Sequence, residues 1–275
     1  MTARPISALP TPSISARALV TGASQGIGMA LARGLARMGH NLILVARRKE
    51  VLEEFAAELE KRHAISAEVY ACDLADSAQR QELIAHIAEQ EINIIINSAG
   101  IASFGPFIEQ QWDYETQQFE LNATAVFELT HAVLPGMIER GNGAICNVGS
   151  AAGNIPIPNN ATYVLTKAGI NAFTEALHYE LKGTGVSCTL LAPGPVREAV
   201  VPESEQSIVD KVVPDFLWTT YESCAEETLA AMAKGRRRVV PGPLSKAMNV
   251  ISSVAPTAIL SPIIGNFYKK MGNDA

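Results

Sequence analysis

Ala18-Leu-Val-Thr-Gly-Ala-Ser-Gln-Gly-Ile-Gly28 decides the fold. A short apolar run suited to a buried strand ends at Thr21, three glycines follow (Gly22, Gly26 and Gly28), and an amphipathic stretch then runs from Ile27 to Met38 and closes at Gly39. Strand, glycine turn and helix in immediate succession form a cradle for a phosphate. Glycines let the main chain approach a pyrophosphate, and the start of the helix favours its negative charge. A tight turn alone would also need glycine, but the strand-turn-helix context favours phosphate. Ser24 is a partner for exposed backbone N–H groups, with Gln25 and Ile27 beside it.

Outward from this turn, short apolar runs alternate with amphipathic ones. The expected strands are 18–21, 41–46, 67–72, 92–97, 143–149, 186–192 and 238–240. The expected helices are 27–38, 49–63, 77–90, 112–138, 161–182 and 222–234. Such alternation predicts an α/β fold, a doubly wound Rossmann-type parallel seven-stranded sheet with helices on both faces. Ligands bind beyond the carboxyl ends of such strands. Gly22, Asp73, Asn97, Ser150 and Pro193 all fall at or just after a strand end and are expected to line one rim.

The chain has 275 residues, 48% of them hydrophobic and 18% charged, enough for one large core. The expected organisation is a flexible N-terminal arm over 1–16, a catalytic domain over 17–241 and an apolar C-terminal tail over 242–275. The arm has three prolines and three serines and lacks the apolar stretch of a secretory signal; its lack of acidic residues leaves organelle targeting as a weaker alternative. A formal charge of −6 argues against nucleic acid as a partner. Cys72, Cys146, Cys188 and Cys224 lack metal-ligand spacing and read as buried thiols, and the five histidines are scattered, so no metal is assigned. A soluble cytoplasmic enzyme is the expectation.

Chemistry enters with Tyr163 and Lys167. An i,i+4 spacing within a helix puts phenol and ammonium on one face, and a neighbouring cation favours phenolate. Such a tyrosine can exchange a proton with a carbonyl or alcohol oxygen. At the other end, the second strand runs into Arg47-Arg48-Lys49 rather than into the carboxylate that grips the ribose hydroxyls of NAD. Three cations in a helix's first turn oppose its macrodipole, a cost that the 2′-phosphate of NADP would offset, so NADP(H) is the expected cofactor.

These motifs, together with Cys72-Asp-Leu74, Asn97-Ser-Ala-Gly100, Asn122 and Pro193-Gly-Pro-Val196, resemble the short-chain dehydrogenase/reductase family from Arg17 to about Pro241. The resemblance implies a catalytic tetrad. Tyr163 is the general acid in reduction and the base in oxidation; Lys167 holds the nicotinamide ribose and favours phenolate. Ser150 bonds the substrate oxygen, and Asn122 positions a water linking Lys167 to solvent. It also implies that Asp73 and Leu74 meet the adenine and that Asn97, Ala99, Gly100, Pro193, Gly194 and Val196 pass along the cofactor. One departure stands out: where the family often has a threonine after Val196, this chain has Arg197-Glu198.

The resemblance makes the segment 196–220 a cover for the substrate. With Phe104, Ile155 and Ile157, its Phe216 and Trp218 are expected to form an apolar pocket for a ketone, aldehyde or oxoacyl compound. The expected assembly is a homo-oligomer, dimer or tetramer. From Leu244 to Tyr268 the tail has no charge after Lys246, yet its serines, prolines, Gly265 and Asn266 weigh against a span. Docking on its own domain or a partner subunit is expected, with a membrane-surface contact as the alternative. An NADP(H)-dependent carbonyl/alcohol oxidoreductase is the leading function. A turnover-deficient dinucleotide sensor or scaffold, and an epimerase or dehydratase of the same fold, are the alternatives.

Overall fold

The computed structural model describes residues 9–198, 218–243 and 245–247. The elements begin with β1 (Ala16–Thr21), α1 (Gly26–Arg37), β2 (Asn41–Ala46), α2 (Lys49–Arg62), β3 (Ala67–Ala71), α3 (Ser77–Ala88) and β4 (Glu91–Asn97). After them come α4 (Trp112–Phe119), α5 (Ala125–Arg140), β5 (Gly143–Val148), α6 (Ala161–Glu180) and β6 (Val186–Leu191). The described chain closes with β7 (Val196–Arg197), β8 (Thr219–Thr220), α7 (Tyr221–Ala233) and β9 (Arg238–Val239). Seven strands make one parallel sheet in the order β3-β2-β1-β4-β5-β6-β9, while β7 and β8 pair separately.

Strand alternation divides the core into two layers. Ala18, Val20, Leu42, Leu44, Ile94 and Ile96 pack toward α1, α2 and α7. Leu19, Ile43, Val45 and Ile95 face α3, α5 and α6. Most of these side chains are wholly removed from water, each worth roughly 1.5–3 kcal/mol for a residue of Val, Leu or Ile size. A register shift between β1 and β4 pairs Arg17 with Ile92 but Ala18 with Ile94, so Asn93 is an extra residue. That bulge turns Ile92 to the same layer as Ile95.

Two expectations need correction. The stretch expected as one helix over 112–138 is two helices joined by a five-residue π turn, Glu120–Thr124, which carries Asn122. The arm expected over 1–16 is not free over its described part: Leu9 and Pro10 are buried, the Ser15 hydroxyl donates to Glu91 at 2.8 Å, and Ala16 opens β1. Prolines reduce the entropy lost in ordering such a segment, and Asn41 holds it by donating to the carbonyls of Ser13 and Ile14. Among the described residues no helix is long and apolar enough to cross a membrane. The tail lies outside the described residues apart from its start, where Ser245 is buried and Lys246 pairs with Glu227 at 2.7 Å.

Candidate active site

A cleft of about 630 Å³ opens along the carboxyl ends of β1 to β6, within the range of about 300–1,000 Å³ usual for small-molecule sites. Its floor is the glycine turn. Gly22 has φ +68°, and a Cβ there would lie 2.9 Å from the Ala99 nitrogen, so only glycine lets the turn rest on the strand next door. Thr21 completes the join, its hydroxyl oxygen accepting from the Ser98 and Ala99 N–H groups at 3.0 and 3.1 Å. Gln25, the N-cap of α1, makes no side-chain cap, and the first turn has no acidic residue. The orphan N–H groups at that helix start therefore suit an anion.

The outer end carries arginines. Arg48 donates through one nitrogen to the Ser24 carbonyl (3.2 Å), the Ser24 hydroxyl (3.0 Å) and the Gln25 side-chain oxygen (2.6 Å). Arg47, mostly exposed, stands 3.9 Å from Asp73. Lys49 pairs with Glu53 at 3.5 Å. The three cations expected to strain the start of α2 thus each have a partner, and the macrodipole cost expected from the sequence is largely met within the protein. What remains is an exposed guanidinium, Arg47, beside a more closely bonded one.

The inner end is buried. α6 presents Tyr163 and Lys167 on one face, and the Lys167 Nζ lies 5.7 Å from the phenol ring centre and donates to the Val148 carbonyl at 2.8 Å. Burial lowers the ammonium to about 8. Burial pushes the Tyr163 phenol above its ordinary value, partly countered by a hydrogen bond with the Ser150 side chain. Burial is the larger of the two influences and favours the protonated phenol, opposite in direction to the phenolate expected beside Lys167. Ser150 opens a 3₁₀ turn, Ala151–Asn154, and its Oγ accepts from the Ala152 N–H at 3.0 Å. Asn171 clamps the Ser150 backbone from both sides, accepting from its N–H at 3.3 Å and donating to its carbonyl at 2.9 Å.

Asn122 lies beneath the cleft. Its side chain accepts from the Ile101 N–H at 2.9 Å and donates to the Ile101 carbonyl at 2.8 Å and to the Thr166 hydroxyl at 3.3 Å. It fastens the cleft segment 98–102 to the helix that carries Lys167. Gly100 leaves the room this needs, since a Cβ there would meet Asn122 Oδ1 at 3.1 Å and Lys167 Nζ at 3.5 Å.

Every cofactor residue expected from the sequence lines the cleft except Asn97. Its amide instead donates to Asn147 at 2.8 Å and Thr130 at 3.1 Å, and Asn147 donates in turn to Thr174 at 3.1 Å. Asn97 therefore braces β4 to β5 and α5. Of the residues expected to meet the substrate, Ile155 and Ile157 are buried with Ala152 and pack with Tyr163 and Val164. Phe104 does not line the cleft; its carbonyl accepts from Gln110 at 3.0 Å. Trp218 does not line it either, and carries the Arg197 guanidinium over its ring at 4.6 Å. Phe216 lies outside the described residues. Sequence reasoning missed Ser98, Ile101, Leu121 and Tyr221, all lining the cleft. The first two follow from the strand end at Asn97, whereas Tyr221 gives no motif signal.

The fold and this cleft define a nucleotide-dependent oxidoreductase of the doubly wound class. The model of the short chain dehydrogenase family matches residues 16–208, and the chain belongs to that family. It is 39% identical over 223 residues to sulfoacetaldehyde reductase 2 of Chromohalobacter salexigens, covering 78% of this chain and 85% of that protein. It is 32% identical over 259 residues to the very-long-chain 3-oxoacyl-CoA reductase of Anas platyrhynchos, covering 92% and 80%. Among solved structures, a short-chain dehydrogenase from Sphingobium yanoikuyae in complex with NADPH matches with a TM-score of 0.74 and 27% identity, over 93% of this chain and 94% of that one. The chain is thus an NAD(P)-dependent oxidoreductase that interconverts carbonyl and alcohol groups.

Proposed function

We propose that the protein uses NADP(H) and reduces an apolar ketone, aldehyde or oxoacyl compound, or oxidises the matching alcohol. The observation that carries the reading is one continuous cleft with Arg47 and Arg48 at its outer end and Ser150, Tyr163 and Lys167 at its inner end. The Arg48 guanidinium beside the Ser24 hydroxyl, with Arg47 lining the same end of the cleft, makes a donor set suited to a 2′-phosphate. The nicotinamide supplies or takes the hydride when bound. In reduction, Tyr163 donates its proton to the carbonyl oxygen while the Ser150 hydroxyl stabilises charge developing there. Lys167 holds the ribose and returns a proton toward Tyr163, and Asn122 keeps the intervening segment in place. In oxidation the same tyrosine takes the proton back.

Supporting the carbonyl class, the two relatives are named as reductases of an aldehyde and of a 3-oxoacyl thioester. A homo-oligomer belongs to this reading, in keeping with exposed Trp112, Phe119, Phe127 and Leu165 on α4 to α6. A cytoplasmic location accords with four unpaired buried cysteines. The test follows the nicotinamide absorbance with NADPH and with NADH against a panel of apolar ketones and aldehydes. Consumption of NADPH in preference to NADH is the expected result. Binding of both cofactors without consumption would favour the sensor reading instead.

A further inference from the structure

We infer that Tyr221 is a further cofactor-holding residue, its phenol hydroxyl donating a hydrogen bond to the diphosphate seated at the start of α1. The inference rests on the cofactor reading above and deepens it. Tyr221 is the first residue of α7, following the N-cap Thr220, whose side chain accepts from the Ser223 N–H at 3.1 Å. It lines the same cleft as the glycine turn. A Cβ built on Gly26 would meet the tyrosine ring at 3.7 Å, and the ring carbon that bears the hydroxyl at 3.8 Å. The phenol is therefore held beside the backbone where the helix start would take an anion.

Two contacts fix that position. α1 and α7 pack with Gly34 so close to Leu229 that a Cβ at Gly34 would overlap the leucine's Cδ1. Gly26 lies about two helical turns before Gly34, and Tyr221 lies about two turns before Leu229. Two contacts at matching spacing hold the helices in parallel register, so Tyr221 reaches the turn on a rigid element rather than a loop. Burial, and after it the Glu198 carboxylate, push the phenol above its ordinary value and keep its proton in place for donation. Glu198 stands in the short stretch that departs from the family pattern, so the departure and the tyrosine meet at one place.

Tyr221→Phe removes the donor and keeps the ring; Tyr221→Ala removes both. Affinities for NADPH, NADH and adenosine 2′-phosphate, the last lacking a diphosphate, are measured by titration and competition. Tyr221→Phe should weaken NADPH and NADH alike by roughly tenfold, the scale of a hydrogen bond to a charged group, and leave adenosine 2′-phosphate unchanged. Wild-type affinity for NADPH in Tyr221→Phe overturns the inference, even if Tyr221→Ala binds poorly, because only ring packing would then matter. Equal weakening of all three ligands also overturns it, as general loosening of the cleft. Wild-type protein that binds neither dinucleotide would instead overturn the cofactor reading itself.

Discussion

The two ends of the cleft achieve charge recognition by opposite means. At the outer end Arg47 has a side chain 63% exposed, and its ion pair with Asp73 is long. Water screens it, so its apo contacts are weak and it can turn toward a ligand. At the inner end Lys167 is only 5% exposed, in a setting that opposes its charge, and its hydrogen bond to Val148 fixes it. On the proposed reading, the exposed end can choose between cofactors with little effect on the fold. The buried end spends stability to hold a few groups in one geometry, which is the arrangement proton transfer requires.

If that division is right, Tyr163→Phe should lower turnover by about 10²–10⁴-fold while NADPH affinity stays within a few-fold, because it removes a proton and little of the binding surface. Rate and titration measured on the same preparation check this. Near wild-type turnover would remove the phenol from the mechanism.

Arg80 tests how the two ends are tied. It is buried on α3 and donates to Glu120 at 2.8 Å, Glu128 at 3.0 Å and the Leu74 carbonyl at 2.8 Å. It thus joins the outer rim at Leu74 to the π turn that carries Asn122. Arg80→Met should lower stability by about 1–3 kcal/mol, because it leaves the Leu74 carbonyl without its donor while water can reach the partly exposed Glu120 and Glu128. Urea unfolding reads this; a loss under 1 kcal/mol would show that the rim and the π turn stand without it.

Lys167 gives the buried end a pH signature. With its folded value at about 8 and an unfolded value of 10.5, the unfolded chain holds more protons between those limits. Stability should therefore rise with pH across that window, by up to roughly 3 kcal/mol. Below pH 8 both states carry the charge and the full penalty of burying it is present. Comparing Lys167→Met with wild type from pH 7.5 to 10 isolates this contribution, since the variant lacks the group. Parallel curves would show that the ammonium is not paying for burial.

The smallest effect belongs to the exposed end. Arg48→Ala should narrow the preference for NADPH over NADH by roughly tenfold to a hundredfold, the value of about 1.5–3 kcal/mol for hydrogen bonds to a charged group. Equilibrium titration at fixed ionic strength reads the ratio. An unchanged ratio would mean that Arg48 serves only to brace Ser24 and Gln25.

What the sequence discloses and conceals follows the same physics. Strand positions were legible because Ile94, Ile95 and Ile96 are buried on both faces, and helix starts because glycine and polar residues mark them. The placing of Tyr163 and Lys167 on one face of α6 was legible as a spacing. Asn97 was misplaced because its motif position suggested the rim, whereas two-residue alternation from Ile95 turns its side chain toward α5. The π turn was invisible, since one extra residue per turn hardly disturbs apolar periodicity over so short a stretch. Ile155 and Ile157 were legible as apolar but not as buried behind Tyr163, which only packing decides. Tyr221 was concealed because its role depends on how α7 lies against α1, a contact set by Gly34 far from any motif.

The most direct test of the account is the fate of a labelled hydride. Wild-type protein is given NADPH carrying deuterium at nicotinamide C4, in separate reactions with each face labelled, together with an apolar ketone that it turns over. Deuterium on the carbinol carbon of the alcohol, from one face only and at one equivalent per NADPH consumed, is the predicted result. An alcohol without deuterium from either label, or a substrate changed without consumption of NADPH, would contradict hydride transfer in this cleft.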